Sequence, residues 1–358
     1  MGFQIIKPNT NINFIGIRRI AYIISLTVIL AGLGSLLVKG GPQYGIDFAG
    51  GMIVQIKFDQ QVEVDQLKSA LGDTDLPGLV VQSFGQEDDY EFLVRTSASD
   101  IPSDTVRKRV SDALSSDLPG LGFEVQRLEM VGPKVGSDLR SKALEAVFYA
   151  VLIIAIYISG RFEQRWFAAI AMAAGLATGI YLLKLLGIPM AWLILAAMLI
   201  TLGLCWFLKL SFALGAVIAL VHDVLITVGV FSVLGKEFDL TTIAAVLTII
   251  GYSLNDTIIV FDRIRENMKG RAREDFAATI NASINQTLSR TILTSGTTLL
   301  VILCLWMFGG GVIHDFALAL LVGIGIGTFS SIFVAAPILF SFGPGSSLDE
   351  RKEVEATS

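Results

Sequence analysis

Cysteine, histidine and charge are all scarce in this chain of 358 residues, which has two Cys, two His and only 16% Asp, Glu, Lys and Arg together. Cys205 and Cys304 both fall inside apolar runs, which argues against a disulfide framework and makes each a packing residue. There is no phosphate-binding glycine loop and no nucleotide motif, so any work the protein does must draw on an ion gradient or on a partner. The formal net charge of −5 comes largely from one extramembrane stretch and the tail, and gives no sign of nucleic-acid binding. With so little charge, 53% hydrophobic residues and a mean hydropathy of +0.68, the chain carries more apolar surface than a water-soluble globule can hide. It reads as a polytopic membrane protein.

Apolar runs near 20–38, 141–159, 166–183, 190–208, 212–234, 242–261, 291–308 and 315–341 predict eight spans, most of them close to the roughly 20 residues a helix needs to cross a bilayer. The first follows Arg18-Arg19, is longer than a cleavable signal and lacks an Ala-x-Ala site, so it reads as a retained anchor. Basic residues near the short loops gather on one side, among them Arg18, Arg19, Arg161, Arg165, Arg263, Arg265 and Arg290, against Lys184 and Lys236 on the other. This bias predicts that both termini are cytoplasmic. The expected organisation is a cytoplasmic N-terminus at 1–19, a first transmembrane helix at 20–38 and an extracytoplasmic domain at 39–140. A second helix follows at 141–163, a helical hairpin at 164–211, a four-helix membrane core at 212–341 and a cytoplasmic tail at 342–358. Within that core, 263–290 has partly amphipathic spacing at Ile264, Met268, Phe276, Ile280, Ile284 and Leu288, as in a helix lying at the interface.

In the extracytoplasmic domain, Met52 to Phe58 alternates like a half-buried strand, and Val64, Leu67 and Leu71 have helical spacing. Val80 to Phe84 and Tyr90 to Arg95 read as strands flanking the polar turn 85–89, Pro102 opens a second helix through Leu114, and Phe123 to Leu128 alternates again. The order βαββαβ predicts a small α+β ferredoxin-like domain on an otherwise α-helical polytopic bundle. The domain has no His, no Cys and no catalytic constellation, so it reads either as a rigid spacer or as a surface that grips a polymer or partner. Gly132-Pro133 ends it, where the chain could hinge.

Three features in the apolar spans carry possible chemistry. Asp256 lies inside the run 242–261, about six residues from Asp262-Arg263 and hence on the order of 9 Å deep at roughly 1.5 Å per residue. A carboxylate in a span is costly and a functional candidate by default, either carrying protons or coordinating a cation, unless it merely snorkels to the near interface. Tyr252, Asn255, Asp256 and Ile259 share a helix face by their spacing. His222-Asp223 lies near the middle of its span and is either satisfied by neighbours or part of a polar pathway with Asp256. Arg290 heads a polar stripe of Thr291, Thr294, Ser295, Thr297 and Thr298, and is either a snorkelling anchor or a partner able to reach Asp256.

Several of these residues stand in motifs. Tyr44-Gly45-Ile46-Asp47-Phe48-Ala49-Gly50-Gly51, Val131-Gly132-Pro133-Lys134-Val135-Gly136, Arg161-Phe162-Glu163, Ala219-Leu220-Val221-His222-Asp223-Val224, Gly251 to Thr257 running into Phe261 to Asn267, and Leu288 to Thr298 together resemble the SecD/SecF family of protein translocase subunits, within the resistance-nodulation-division superfamily. The resemblance runs nearly the length of the chain. It implies a bacterial inner-membrane protein, with no cofactor and no metal, that pairs with SecD beside the SecYEG channel, often with YajC. The pair would use the proton-motive force to pull exported polypeptides after SecA has pushed them in. It also implies that Asp256 and Arg290 are the proton-coupling residues, with a further carboxylate from SecD and no covalent catalysis.

The chain departs from the family pattern in one place, a long insert between Arg161-Phe162-Glu163 and Phe212 whose two apolar stretches read as an extra transmembrane hairpin. Two alternatives stay open: a proton-coupled small-molecule or lipid exporter of the same superfamily, and a channel scaffold that carries no ions.

Overall fold

The computed structural model describes residues 10–84, 90–98, 101–163, 166–185, 190–270, 276–309 and 311–343. The turn expected at 85–89, the hairpin link at 186–189 and the tail beyond 343 lie outside these residues. Among the described residues the fold is mostly helical with one small sheet, and six helices are long and apolar enough to cross a membrane. These are α1 (Arg18–Val38), α5 (Pro133–Glu163), α8 (Ser211–Leu234), α9 (Leu240–Gly270), α10 (Phe276–Phe308) and the run from α11 (Gly311–Ser330) through α12 (Ala336–Phe342). The protein is therefore a multi-pass membrane protein. Two further apolar helices, α6 (Trp166–Leu185) and α7 (Met190–Phe207), form a hairpin packed on α5 and α8.

Between α1 and α5 lie a short α2 (Ile46–Ala49), β1 (Gly51–Phe58), α3 (Val64–Leu71), β2 (Val80–Phe84), β3 (Glu91–Thr96), α4 (Ser103–Asp117) and β4 (Phe123–Val131). The strands pair antiparallel in the order β2-β3-β1-β4. Period-two alternation turns Met52, Val54, Ile56 and Phe58 to one face of β1, where all four are buried against Leu67 and Leu71 of α3 and Val106, Val110 and Leu114 of α4. The other face stays open and carries Ile53, Leu93, Arg95, Arg127 and Glu129.

Pro133 opens α5, eight residues before the second span expected from 141. Proline is suited to a first helical position, since its missing N–H costs the helix nothing there. Its neighbours explain the glycine motif. Gly50 and Gly51 have φ of +77° and +126°, and a Cβ would lie 2.8 Å from Pro133 Cα at Gly50 and 2.5 Å from the Thr96 carbonyl at Gly51. A Cβ on Gly136 would come within 3.1 Å of the Phe48 and Gly50 backbone. The two ends of the domain thus cross at a backbone-to-backbone joint that excludes side chains.

α1 and α8 run parallel and in register. Ser25 meets His222, Gly32 meets Gly229 and Ser35 meets Ser232, each pair separated by 197 residues. The seven-residue step between the first two pairs keeps one face of each helix on the other.

The segment 263–290 differs from a single helix lying at the interface. α9 continues to Gly270 and α10 begins at Phe276, and the two extensions pack together through Asn267, which donates to Ser283 (2.8 Å) and to Gln286 (3.1 Å). Ile264, Ile280, Ile284 and Leu288 are buried in the bundle core rather than facing lipid. Segment 12–15 docks on this extension. Asn285 both accepts from the Ile12 N–H and donates to its carbonyl, and Asn281 accepts from the Ile15 N–H. Asn281→Ala with Asn285→Ala should free the segment, seen as faster amide exchange at Ile12 and Ile15 with the bundle's exchange unchanged.

Candidate functional site

Asp256 lies near the middle of α9 with none of its surface exposed. Its Oδ2 accepts from Ser295 of α10 (2.9 Å) and Thr328 of α11 (3.4 Å), while Oδ1 is buried with no partner among the described residues. Thr291, one turn before Ser295, has a buried hydroxyl that is likewise unpartnered. A buried carboxylate is normally paired with a cation or fully hydrogen-bonded, because leaving it otherwise is costly. Asp256 has neither arrangement, and its partners are neutral hydroxyls. Such a site favours whatever relieves the charge, and a proton is the smallest such species.

Arg290 does not close on Asp256. It is exposed, forms no ion pair among the described residues and acts on the carboxylate only through space. The polar stripe behind it is mostly self-satisfied, since the Thr294, Thr297 and Thr298 hydroxyls donate to carbonyls four residues back in their own helix. Ser295 alone of that stripe reaches Asp256. Tyr252 donates to the Thr294 carbonyl (3.1 Å) and bonds Thr298 (3.0 Å), tying α9 to α10 beside the site. Asn255 is exposed and does not join.

A second buried carboxylate lies nearby. Asp223 of α8 contacts His222 Nδ1 through Oδ1 (2.9 Å), and its Oδ2 accepts from Ser253 of α9 (2.5 Å) and Ser330 of α11 (2.8 Å). His222 Nε2 meets Ser25 of α1 (3.0 Å). Unlike Asp256, Asp223 has both oxygens partnered. The two carboxylates are linked through the same two helices, as α9 carries Ser253 and Asp256 three residues apart and α11 carries Thr328 and Ser330 two apart. α11 then loosens into a π turn over Ser331–Ala335. Pro337 follows, and it has no N–H to bond the carbonyl four residues back, which accounts for the widened turn. Ser25, Thr328 and Ser330 were not predicted from the sequence. The only signal for the last two is a cluster of hydroxyl residues at 328–331 inside an apolar run.

The remaining motif residues form joints away from this site. Arg161 pairs with Asp262 (2.7 Å), Arg265 donates to the Arg161 carbonyl, and Arg263 pairs with Glu266 (3.0 Å). Phe162 packs against Phe212 and Phe261. On the sheet side the Gly45 N–H donates to the Phe238 carbonyl (2.8 Å), Phe48 is buried beside Phe231 and Phe238, and Asp47 Oδ2 accepts from the Leu240 N–H at the start of α9 (3.0 Å). Helix starts leave their first N–H groups without internal partners, and a carboxylate there satisfies one of them. Asp47→Ala should cost about 1 kcal/mol of stability, read as a lowered Tm, and Asp47→Asn should recover most of it because the amide oxygen still accepts.

The chain is similar to known proteins. The family described as protein export membrane protein SecD/SecF, C-terminal, matches residues 110–205 and 190–344, and the SecD/SecF GG motif matches 35–62. The protein translocase subunit SecF of Magnetococcus marinus is 42% identical over 96% of both chains, and that of Calditerrivibrio nitroreducens is 38% identical over 94% of this chain and 96% of its own. The crystal structure of SecDF, a translocon-associated membrane protein from Thermus thermophilus, superposes with a TM-score of 0.67 at 34% identity, covering 92% of this chain; the chain spans 38% of that SecDF chain's length. With the GG motif at the backbone joint and the C-terminal family region holding both buried carboxylates, the chain belongs to the SecD/SecF family of protein export membrane proteins.

Proposed function

We propose that this chain is a membrane subunit of the protein-export machinery that acts with a SecD partner, and uses the proton-motive force to promote late steps of polypeptide passage through the SecYEG channel. SecYEG, YajC and the SecA motor belong to this reading through the family, and protein translocation is the activity named for its relatives. The observation that carries the proton-coupled reading is Asp256, a fully buried carboxylate held by neutral hydroxyls with one oxygen unpartnered. Protonation removes its charge, weakens the through-space pull of Arg290 and relaxes the demand on Ser295 and Thr328. α9, α10 and α11 can then shift against one another. Asp256 and Arg290 are the coupling pair of this reading, and His222, Asp223 and Thr294 support it from neighbouring turns.

The reading places both termini in the cytoplasm of a bacterial inner membrane, with the sheet domain outside. The strand order β2-β3-β1-β4, with α3 and α4 on one face, favours a ferredoxin-like split βαβ arrangement for that domain. α6 and α7 complete eight spans, and Trp166, Trp192 and Trp206, all largely exposed near the hairpin's ends, suit the two membrane interfaces. Cys205 is buried and Cys304 exposed, so a lipid-soluble thiol probe on the native chain should label Cys304.

The test is polypeptide translocation into inverted vesicles with and without an imposed proton gradient. Arg290→Ala, assembled with its partner at the normal level, should lose the gradient-dependent increment and keep the gradient-independent rate. An unchanged increment would remove Arg290 from the coupling pair and move that role to another group.

A further inference from the structure

The sheet domain is joined to the membrane bundle at two kinds of contact. One is the joint at the ends of the domain, where segment 43–51 crosses 131–136 and bonds to the loop between α8 and α9. The other ties a strand of the sheet itself to that same loop. Arg95, on the open face of β3, forms an ion pair with Glu237 of that loop and also reaches the Tyr44 carbonyl. Among the described ion pairs this one alone links the sheet to the bundle. Segment 43–45 tethers the end of the domain to this loop through backbone bonds, whereas Arg95 ties β3 of the sheet to it through side chains alone, and an ion pair with a titratable carboxylate is releasable.

We infer that Arg95 and Glu237 form a proton-released latch that holds the sheet domain against the membrane bundle and opens when Glu237 is protonated from the sheet side. The side chains of Arg95 and Glu237 keep 26% and 23% of their surface accessible, so protons reach the pair without crossing the core. It borders a cleft of about 440 Å³ between the sheet (Gln82, Leu93, Arg127) and the bundle (Lys236, Asp239, His314).

The groups facing Glu237 set the direction of the switch. Burial holds its carboxyl above the ordinary carboxylate range, Arg95 opposes this, and Asp239 of the same loop and Asp315 of α11 add repulsion. Lys236 is engaged with Asp315 (2.7 Å), which His314 also approaches (3.3 Å), and on the far wall Arg127 pairs with Glu129. The ion pair with Arg95 is the state in which Glu237 is charged. Glu237 loses that charge on acidification earlier than an exposed carboxylate would. The side from which protons enter is thus the side on which the latch opens.

The inference rests on the proton-coupled reading for its purpose, but not for its test. With Cys205 and Cys304 replaced by serine, spin labels at Ser116 of α4 and Leu37 of α1 report the separation of domain and bundle in the full chain reconstituted with SecD in vesicles. The wild type should show one short distance at neutral pH and a growing longer population as the sheet side is acidified. Glu237→Gln should show the longer population at every pH, and the exchange Arg95→Glu with Glu237→Arg should restore the short distance at neutral pH. A wild-type distance that ignores acidification, or Glu237→Gln behaving as wild type, overturns the latch. Because the readout is a distance, the latch can fail while the gradient-dependent increment survives, and it can stand if that increment proves independent of Asp256 and Arg290.

Discussion

Asp256→Asn should reduce gradient-driven translocation to the rate seen without a gradient, while leaving assembly and the gradient-independent rate in place. The substitution keeps size and shape and still offers an oxygen to Ser295 and Thr328, so the local hydrogen bonds survive. What it removes is the change of charge. One proton crossing 100 mV carries about 2.3 kcal/mol, which shifts a two-state equilibrium about 50-fold. A residue that cannot gain or lose the proton contributes none of that bias. The amide also supplies its own donor at the position of the unpartnered Oδ1, so the variant should be held permanently in the arrangement of the protonated state. The measurement is the ratio of translocation rates with and without the gradient: a ratio near one is expected, and a wild-type ratio would move the coupling to another group.

The second large effect is structural. Gly32→Leu should separate α1 from α8, because even a single Cβ at that position would lie 2.6 Å from the Gly229 Cα, a backbone atom that cannot rotate away. Most of the remaining surface of α1 is exposed within the chain, so this face is its principal attachment. Loss of register would also break the contacts of Ser25 with His222 and of Ser35 with Ser232. Overpacking of a tight contact costs about 1–3 kcal/mol, and here two hydrogen-bonded supports go with it. The expected result is a clear drop in Tm in detergent and a lower level of intact protein. Gly34→Leu is the control, as nothing lies within 4 Å of a Cβ there, and it should behave as wild type.

Asp256 stands out in the sequence because ionisable groups are rare in apolar runs, and that signal needs no knowledge of neighbours. Its supports do not stand out. Ser295 lies 39 residues away and Thr328 72 residues away, on helices whose rotation about their own axes no local pattern fixes. Arg290 illustrates the same limit from the other side. Topology puts it in the same half of the membrane as Asp256, yet the rotation of α10 turns Ser295 rather than Arg290 toward the carboxylate. The polar stripe on α10 suggests a wet face, and most of it proves to be hydroxyls bonded to their own helix. Strand positions are within a residue or two of expectation at β1, β2 and β3, because alternation is a local property. The register that brings β1 between β3 and β4 is a long-range one.

The sequence by itself determined which segments are apolar enough for lipid, that a carboxylate lies within one of them, and that a small α/β domain separates the first two spans. Each of these follows from composition and period over some 20 consecutive residues. Only the tertiary structure decided that Asp256 meets hydroxyls instead of a cation, that Asp223 is fully satisfied beside it, and that Arg95 ties the domain to the bundle. Those outcomes depend on contacts of about 3 Å between residues far apart in the chain, and each residue of offset in a helix turns a side chain by about 100°.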